Sequence, residues 1–553
     1  MAEGDGKMAV LEDCRARLHA LRLAFRREPS LFDADTVALL KDLAATLKSR
    51  RPDPVSVLSD TFGYPSFRKG QREVIDAVLA GRDCVGVMPT GAGKSMTYQV
   101  PARVLGGTTL VISPLIALMK DQVDALTEAG VRATYLNSSV PHEERARRMA
   151  SIAAGEIELV YVAPEGLNAS AGRVLSQMQL SLVAVDEAHC ISHWGHDFRP
   201  AYRTLAGLKR RFPRVPILAL TATATDHVVE DIVEQLAMVK PMVFRGSFYR
   251  PNLHLYAIKK GGDDRSTRSP PVRRAILDLV RARAGESGIV YCLSRKSTES
   301  TAAFLKENGV RAAVYHAGML PEDRARSQDA FRDDKVDVVC ATIAFGMGID
   351  KDNVRYVIHR DMPRSMEGYY QEVGRAGRDG LPSDCVLFYS WAEVMAYDKF
   401  AEEGSDEIAG RVAAQAREMY RFAEGTGCRH QALVAHFGED LAPCGSSCDS
   451  CGAPMLERSA DKRSRAVTAP SVVATGRDRD LFELLKMLRR HIAESRGVPA
   501  YVVFNDATLL AMAKAHPTTQ AALRQVPGVG PKKLDAYGEP FLKLLREEAG
   551  LQS

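Results

Sequence analysis

This chain of 553 residues has no long apolar run. No stretch of 18 apolar residues occurs, so we expect no membrane-spanning helix. The opening residues, MAEGDGKMAV, lack an apolar segment behind a basic start, so we expect no secretory signal and a cytoplasmic location. A strong charge excess is also missing, because 74 Lys and Arg oppose 69 Asp and Glu. The resulting net charge of +5 permits a polyanionic partner without requiring one.

Cysteine is scarce and unevenly distributed, with six of the ten cysteines isolated along the chain. The other four form the pattern C-x15-C-x3-C-x2-C: Cys428, Cys444, Cys448 and Cys451. Without an export signal, a disulfide framework is disfavoured in a chain of this length. Four thiolates can enclose a structural Zn²⁺ ion tetrahedrally and leave no position open for water. Free thiols or a redox pair are the alternatives to this zinc site.

Short apolar runs alternate with helical stretches along most of the chain. Five Val-, Ile- and Leu-rich runs precede residue 239, and four more precede residue 399. Such runs are typical of buried parallel strands in βαβ units, so we predict two α/β domains in tandem. The expected division is a helical N-terminal extension (1–58), the two α/β domains (59–239 and 240–399), a helical zinc-binding subdomain (400–455), a linker (456–477) and a small helical bundle (478–548).

A glycine-rich segment, MPTGAGKS at 88–95, follows the first apolar run. Gly91 and Gly93 allow backbone N–H groups to turn towards phosphates, Lys94 reaches the β- and γ-phosphates, and Ser95 can hold Mg²⁺. The first position of the strict G-x-x-x-x-G-K pattern is not glycine, whereas the form T-G-x-G-K-S fits. A glycine-rich turn that merely precedes a lysine is the alternative. The strand–loop–helix context favours phosphate binding.

Two further motifs carry groups suited to phosphoryl transfer. LVAVDEAH ends in Asp186 and Glu187, where a phosphate-loop enzyme needs a Mg²⁺ ligand and a carboxylate that polarises water. QEVGRAGRDG carries Arg375 and Arg378, and a guanidinium supplied across an interface stabilises a phosphoryl transition state. Alone, the first is a chance-level tetrapeptide and the second could be a surface pair on a turn. Together with the phosphate loop they predict an ATP site between two lobes, with Arg378 as the arginine finger.

These motifs, in this order, resemble those of the RecQ family of DNA helicases in superfamily 2. SPLIALMKDQ, TATAT and AFGMGID resemble further helicase motifs, and FGYPSFRKGQ resembles the motif that precedes the phosphate loop. The resemblance implies two RecA-like parallel-sheet lobes, with Tyr64 stacked on adenine, Arg68 near the nucleotide and Gln71 at the adenine edge. The ATP-binding residues that it implies are Tyr64, Arg68, Gln71, Thr90, Gly91, Ala92, Gly93, Lys94 and Ser95, with Mg²⁺ held by Ser95 and Asp186.

The stretch HCISHWGHDFRPAY at 189–202 resembles an aromatic-rich loop peculiar to RecQ proteins. Trp194 and Phe198 offer faces on which unstacked bases can lie, each stack contributing about 1–3 kcal/mol. The loop starts two residues after Glu187, so we expect DNA binding to influence hydrolysis. Rings that fill the core of their own lobe are the alternative. The residues that we assign to DNA contact or coupling are Trp194, Phe198, Arg199 and His189.

The C-terminal segment 478–548 resembles an HRDC domain, the helicase-and-RNase-D C-terminal module. Its VPGVGPKK turn could present N–H groups and lysines to a phosphate. Its 11 basic and 9 acidic residues do not indicate strong DNA binding, and a protein-contact or regulatory module fits equally. RecQ proteins commonly carry a winged-helix domain of ~100 residues before this module. Only residues 452–477 are available here, so no winged helix fits.

The sequence therefore predicts an ATP-, Mg²⁺- and Zn²⁺-dependent DNA helicase of RecQ type. The resemblance implies 3′→5′ translocation on single-stranded DNA, action on forked or tailed duplexes in recombination and repair, contact with single-strand-binding or repair proteins, and a monomer associated with the nucleoid if bacterial. One alternative is a DNA-stimulated ATPase without efficient unwinding, suggested by the missing winged helix. A non-catalytic scaffold is disfavoured by the intact site residues, and an RNA helicase of D-E-A-D type by His189 and the aromatic-rich loop.

Overall fold

The fold is described from a computed structural model. The described residues are 28–49, 51–114, 116–137, 140–168, 180–192, 199–261, 271–346, 351–402, 406–454, 476–496 and 500–549, with a few single positions besides. No helix in these ranges is long and apolar enough to cross a membrane. Most of the chain before residue 28 and of the expected linker at 456–477 lies outside them.

The first lobe contains a seven-stranded sheet in the order β3-β4-β2-β5-β6-β1-β7, as far as the chain is described. Every pairing in it is parallel. Its strands are β1 Cys84–Val87, β2 Thr108–Ile112, β3 Ala133–Leu136, β4 Leu159–Val162, β5 Leu180–Val185, β6 Ile217–Thr221 and β7 Met242–Arg245. The last strand, β7, follows residue 239, where we expected the first α/β domain to end, and it pairs with β1.

The second lobe contains a six-stranded parallel sheet in the order β10-β11-β9-β12-β13-β8, again within the described ranges. Its strands are β8 Leu253–Lys259, β9 Ser287–Tyr291, β10 Ala312–Tyr315, β11 Val338–Ala341, β12 Val354–His359 and β13 Ser383–Tyr389. Strands β1, β2, β4, β9, β11 and β12 are buried along their whole length. This burial explains their Val- and Ile-rich composition. The prediction of two parallel-sheet lobes is confirmed.

Helices cover the sheets and form the remaining parts of the chain. Those before β8 are α1 Ala34–Ser49, α2 Pro54–Phe62, α3 Gln71–Leu79, α4 Met96–Leu105, α5 Ile116–Glu128, α6 His142–Ala153, α7 Leu208–Arg211 and α8 Asp226–Gln235. Those of the second lobe and the cysteine region are α9 Val272–Ala282, α10 Arg295–Glu307, α11 Pro321–Arg332, α12 Met366–Val373, α13 Trp391–Glu402, α14 Asp406–Glu424 and α15 Arg429–Ala435. The C-terminal bundle contains α16 Gly476–Arg496, α17 Ala500–Val503, α18 Asp506–Ala515, α19 Gln520–Arg524 and α20 Pro531–Glu548.

Helix α2 shows how local chemistry positions the entrance to the site. The Asp53 carboxylate accepts hydrogen bonds from the N–H groups of Val55 and Ser56, both at 3.1 Å, and Pro54 occupies the first turn. These are the preferred features of a helix N-terminus. The helix ends at Gly63, whose φ of 76° is left-handed and therefore favours glycine. The segment that follows Gly63, starting at Tyr64, lines the cleft between the two lobes.

The C-terminal bundle has its own apolar core. Leu485, Phe504 and Phe541 are almost fully buried in it, and the two phenylalanine rings meet edge to face at 5.0 Å. Arg489 and Asp506 are also buried, and they pair at 2.7 Å. A buried charge is tolerated only when it is paired in this way. The segment therefore forms a packed unit, as its resemblance to an HRDC domain implied.

Candidate functional site

A cleft between the two lobes contains a cavity of about 730 Å³. Residues from four separate sequence motifs line it. The predicted site residues in its wall are Tyr64, Arg68, Gln71, Thr90, Gly91, Gly93, Lys94, Ser95, Asp186, Glu187, Arg375 and Arg378. The structure thus brings together twelve positions that the sequence spreads over more than 300 residues.

The phosphate loop connects the end of β1 to the start of α4. Gly91 and Gly93 have φ values of 82° and 76°, in the left-handed region that favours glycine. Lys94 donates a hydrogen bond to the Met88 carbonyl at 3.3 Å. Burial lowers the pKa of Lys94, whereas Glu187 and Asp186 act in the opposite direction. A lysine placed in this way is ready to exchange its internal bond for a phosphate oxygen.

Gln71 and Arg68 bind the phosphate loop itself. The buried Gln71 amide donates to the carbonyls of Ala92 and Gly93 at 3.0 and 2.9 Å, and its oxygen accepts from the Arg68 backbone N–H at 2.8 Å. The Arg68 guanidinium donates to the Gly91 carbonyl. In this structure both side chains therefore donate hydrogen bonds to carbonyls of the phosphate loop. The side chain of Ala92 does not line the cavity, but its carbonyl accepts one of the hydrogen bonds from Gln71.

The two carboxylates follow β5 directly. Burial, together with the neighbouring Glu187, raises the pKa of Asp186 to about 7 against the opposing effect of Lys94. Oε2 of Glu187 is buried and accepts no hydrogen bond within the described residues, and His189 Nδ1 lies 3.4 Å from it. Glu187 also has a left-handed φ of 47°, an uncommon conformation for a residue with a side chain. A carboxylate oxygen without a hydrogen-bond partner, beside a second carboxylate, fits a divalent cation and an ordered water.

His189 is only 1% exposed, so its ring offers no surface to DNA in this structure. Its Nδ1 lies 3.0 Å from Thr221 Oγ1, which belongs to the TATAT motif at the end of β6. Arg199, the described end of the aromatic-rich loop, donates to the Pro114 carbonyl of the SPLIALMKDQ motif at 3.3 Å. Trp194 and Phe198 lie outside the described residues. The described ends of this loop thus contact two other helicase motifs.

The arginine loop, which we define as residues 374–380 of the second lobe, follows α12 and lies against the phosphate loop. A Cβ added to Gly374 would lie 2.9 Å from Thr90 Oγ1, and Arg378 Cα would lie 3.5 Å from a Cβ on Gly91. Arg378 is close enough to Lys94 to lower the pKa of that lysine. Arg375 is 7% exposed, so its guanidinium is buried within the protein. Both arginines therefore contribute positive charge to the wall facing the phosphate loop.

Three groups at the cleft were missed from the sequence. Gln371, within the arginine motif, donates to Thr223 Oγ1 across the cleft at 3.3 Å. Arg250, in the segment between β7 and β8, donates to the Thr90 carbonyl at 2.9 Å. Residues of the C-terminal bundle, Asn505, Thr508, Pro527 and Gly528 among them, line the same cavity. Gln371 lies in a recognised motif, and Pro527 and Gly528 lie in the VPGVGPKK turn, but nothing in the sequence placed that turn or Arg250 at the cleft.

The four clustered cysteines converge in the region that follows α14. Their sulfur atoms all lie within 4.8 Å of one another, and Cys444 Sγ is 3.6 Å from Cys448 Sγ. A tetrahedral zinc site with Zn–S bonds of ~2.3 Å needs sulfur separations of ~3.8 Å, so the group fits this ion. The four sulfurs form no disulfide. The hydrogen bonds from the backbone N–H groups of Gln431 and Cys444 oppose burial and lower the pKa of Cys428 to about 7, whereas burial raises the pKa of Cys448 to about 12.

The nearby histidines have other partners. His430 Nε2 lies 2.9 Å from the Leu253 carbonyl and 3.1 Å from the Ser447 carbonyl. His436 pairs with Glu418 at 2.8 Å and with Glu367 at 2.9 Å. Neither is available as a fifth ligand, in agreement with the four-cysteine prediction.

Four family models match consecutive parts of the chain. They are the DEAD/DEAH box helicase at 68–232, the helicase conserved C-terminal domain at 272–380, the RecQ zinc-binding domain at 391–452 and the HRDC domain at 478–545. Together they follow the order of the motifs in the sequence.

Two curated relatives match most of the chain. The ATP-dependent DNA helicase RecQ of Pasteurella multocida (strain Pm70) is 38% identical, over 89% of this chain and 93% of its own length. The protein of the same name from Bacillus subtilis (strain 168) is 35% identical, over 89% and 98%. Among solved structures, the DUF1998 helicase MrfA bound to DNA is similar at a TM-score of 0.50 and 18% identity, over 62% of this chain and 51% of that one. This last likeness concerns the fold alone.

Proposed function

Since the chain belongs to the RecQ family of ATP-dependent DNA helicases, we propose that it hydrolyses ATP between its lobes to move 3′→5′ on single-stranded DNA and separate duplexes. The observation that carries this proposal is the convergence of the phosphate loop, the carboxylate pair and the arginine loop on one cavity. Recombination and repair are the proposed settings. A monomer in the cytoplasm or on the nucleoid, with single-strand-binding or repair proteins as partners, is proposed from the family resemblance.

The roles of the phosphate-site residues follow from their positions. Lys94 binds the β- and γ-phosphates, and Ser95 with Asp186 would hold Mg²⁺, which neutralises phosphate charge. Glu187, with its unsatisfied oxygen, orients and polarises the attacking water. Arg378, carried by the other lobe, stabilises the charge of the transition state, with Arg375 behind it.

The adenine side is assigned to the segment after α2. Tyr64, 37% exposed in the wall of the cavity, offers its ring to the base. Gln71 can read the adenine edge only after it gives up at least one of its bonds to the phosphate loop. Base recognition and phosphate-loop conformation are thereby linked through one side chain. Arg68, on the Gly91 carbonyl, takes part in the same exchange.

The other proposed ligands are DNA and zinc. Trp194 and Phe198 stack on DNA bases, and His189 and Arg199 transmit that contact to the TATAT and SPLIALMKDQ motifs. The four cysteines hold one structural Zn²⁺. This region is joined to the second lobe through the bridge between Leu255 and Cys448, so the metal stabilises an edge of that sheet.

Strand separation and ATP hydrolysis measured on the same forked, tailed and four-way substrates test the proposal. We expect DNA-stimulated hydrolysis together with unwinding of forks, and Lys94→Ala should abolish both because phosphate binding is lost. Hydrolysis without unwinding on every substrate would instead support the translocating ATPase that the short 452–477 segment suggests. Full activity of Lys94→Ala would refute the site assignment.

A further inference from the structure

The C-terminal bundle lies against both lobes beside the nucleotide cavity. On the first lobe, the Gly528 N–H donates to the Gly63 carbonyl at 3.3 Å. A Cβ on Gly63 would lie 2.6 Å from Gly530 N, so the two backbones are in direct contact. Gly63 immediately precedes Tyr64, the residue proposed to stack on the base. The VPGVGPKK turn is therefore occupied by the first lobe and is not presented to a DNA phosphate.

The lysine pair of this turn is also directed at the lobes. Lys532 Nζ would lie 2.1 Å from a Cβ on Gly130, which follows α5 of the first lobe. Burial lowers the pKa of Lys533 to about 8, and the opposing effects come from Glu128 of the first lobe and Asp352 of the second. One cation of the bundle thus interacts with acidic groups of both lobes.

A second contact joins the bundle to the second lobe. Asp352 and Asn353 face Asn505 and Asp506 across a narrow crevice. Burial raises the pKa of Asp506, but the neighbouring Arg489 outweighs this effect and the pKa is lowered. Arg355 of the second lobe lies near enough to Asp506 to lower its pKa further. The bundle therefore spans the mouth of the cleft and touches both of its sides.

We propose that the bundle forms a third wall of the nucleotide site, on the base side, and slows the exchange of bound nucleotide. Asn505, Thr508 and Gly528 supply the surface that completes the cavity next to Tyr64. Since the bundle contacts both lobes, nucleotide can leave on the base side only when this contact opens. The inference rests on the proposed ATP site and adds a gate to it.

Dissociation of a fluorescent ADP analogue from the full-length protein tests the gate. Lys533→Glu places a negative charge beside Glu128 and Asp352 and should release the bundle, so dissociation should accelerate at least severalfold. Lys543→Glu is the matched control, because it makes the same charge change at an exposed position of the same helix and should not alter the rate.

A charge swap separates undocking from unfolding of the bundle. Lys533→Glu combined with Glu128→Lys places opposite charges on the two sides of the contact again and should recover slow dissociation. Two results would overturn the gate. One is that the ADP analogue dissociates as slowly from Lys533→Glu as from the Lys543→Glu control, and the other is that the charge swap does not slow its dissociation. A wild-type protein that binds no ADP would instead refute the proposed ATP site.

Arg250, in the segment between β7 and β8, bridges the phosphate loop and the arginine loop. Its guanidinium donates to the Thr90 carbonyl of the phosphate loop at 2.9 Å. It also donates to the carbonyls of Gly374, Ala376 and Gly377 in the arginine loop, at 3.5, 3.0 and 2.6 Å. All four acceptors are backbone carbonyls, so none of them neutralises the positive charge of Arg250.

Asn252 completes this clamp on the arginine loop. Its amide donates to the carbonyls of Gly377 and Leu381 at 2.9 and 3.0 Å. Its oxygen accepts from Arg250 Nε at 3.3 Å. The planar guanidinium can make several such bonds at once, which an ammonium cannot do in the same geometry. We infer that Arg250 is a positioning residue that holds the arginine loop, and with it Arg378, against the phosphate loop.

A double-mutant cycle on ATP turnover tests the positioning role. Arg250→Gln should lower kcat at least tenfold with ADP affinity nearly unchanged, and Arg250→Lys should restore little of the loss. In the Arg378→Ala background, Arg250→Gln should cost almost nothing more, because it acts through Arg378. Arg214→Gln, the same substitution at an exposed arginine of the first lobe that does not line the cavity, should leave kcat unchanged. Additive losses in the double variant, or an unaltered kcat in Arg250→Gln, would contradict the inference.

Discussion

At the scale of single residues, the site is held ready by bonds that its ligand must replace. Lys94 and Gln71 both donate to carbonyls of the phosphate loop. Lys94 could be recognised from the sequence, because glycine, lysine and hydroxyl groups at these positions have a clear phosphate-binding chemistry. Gln71 was implied only by the resemblance to the RecQ family. Arg250 could not be recognised in this way. Its acceptors are backbone carbonyls, which leave no trace in sequence.

His436 gives a prediction about pH at this scale. Although burial lowers its pKa, the pairs with Glu367 and Glu418 outweigh this effect and raise it to about 9. A histidine with a raised folded pKa adds stability that is complete below the unfolded value near 6.5 and disappears as the pH rises through about 9. We expect His436→Gln to cost on the order of 1–3 kcal/mol at pH 6.

Thermal or urea unfolding of both proteins between pH 6 and pH 10 measures this difference. The gap between wild type and variant should narrow steadily above pH 7 and be nearly closed at pH 10. A gap that is independent of pH would show that packing alone accounts for the role of His436.

At the scale of elements, the sequence predicted the buried strands and missed others. Strands β3, β7 and β8 lie at sheet edges, and all three are only partly buried. Their sequences therefore mix polar with apolar residues and do not form the continuous runs that identify buried strands. Strand β13 is fully buried, and its run SDCVLFY, which closely follows the glycine-rich arginine motif, is not among the predicted strands.

The cysteine cluster is an element whose folding we expect to depend on metal. Freshly purified protein should retain about one zinc ion per chain after extensive dialysis, because a closed four-thiolate site exchanges its metal slowly. Cys448→Ser should lose the ion and loosen the region around α14 and α15, since metal binding and folding are coupled. Metal analysis and limited proteolysis measure these two effects. Stoichiometric zinc in Cys448→Ser, or none in the wild type, would refute the assignment.

The aromatic-rich loop is an element with a predicted coupling role. We expect Trp194→Ala to keep the basal ATPase activity and lose most of its stimulation by single-stranded DNA. DNA affinity should fall only modestly, because contacts to phosphates supply most of it. Basal and stimulated rates, with a melting curve of the same protein, provide the measurement. A lower melting temperature with loss of basal activity would favour rings that fill the core of the lobe, and full stimulation in a normally folded variant would exclude coupling.

At the scale of the whole molecule, the order of the parts could be predicted but not their mutual contact. The composition of 478–548 left DNA binding, protein contact and regulation open. The structure directs its VPGVGPKK turn towards Gly63 and the acidic groups of the lobes. Such an interface depends on surface residues brought together from distant parts of the chain. The VPGVGPKK turn and Gly63 both lie in recognised motifs, but neither motif indicates that the two meet, so the interface itself could not be predicted.

The central claim is that the interlobe cavity hydrolyses ATP and that hydrolysis drives strand separation. Glu187→Gln tests it most directly, because it removes the group proposed to polarise water and leaves the phosphate-binding residues in place. ATP binding, ATP turnover and fork unwinding should be measured on the wild type and this variant under the same conditions. We predict that Glu187→Gln binds ATP normally and loses turnover and unwinding together, by at least a hundredfold. Near-normal turnover, or unwinding that persists without it, would contradict the claim.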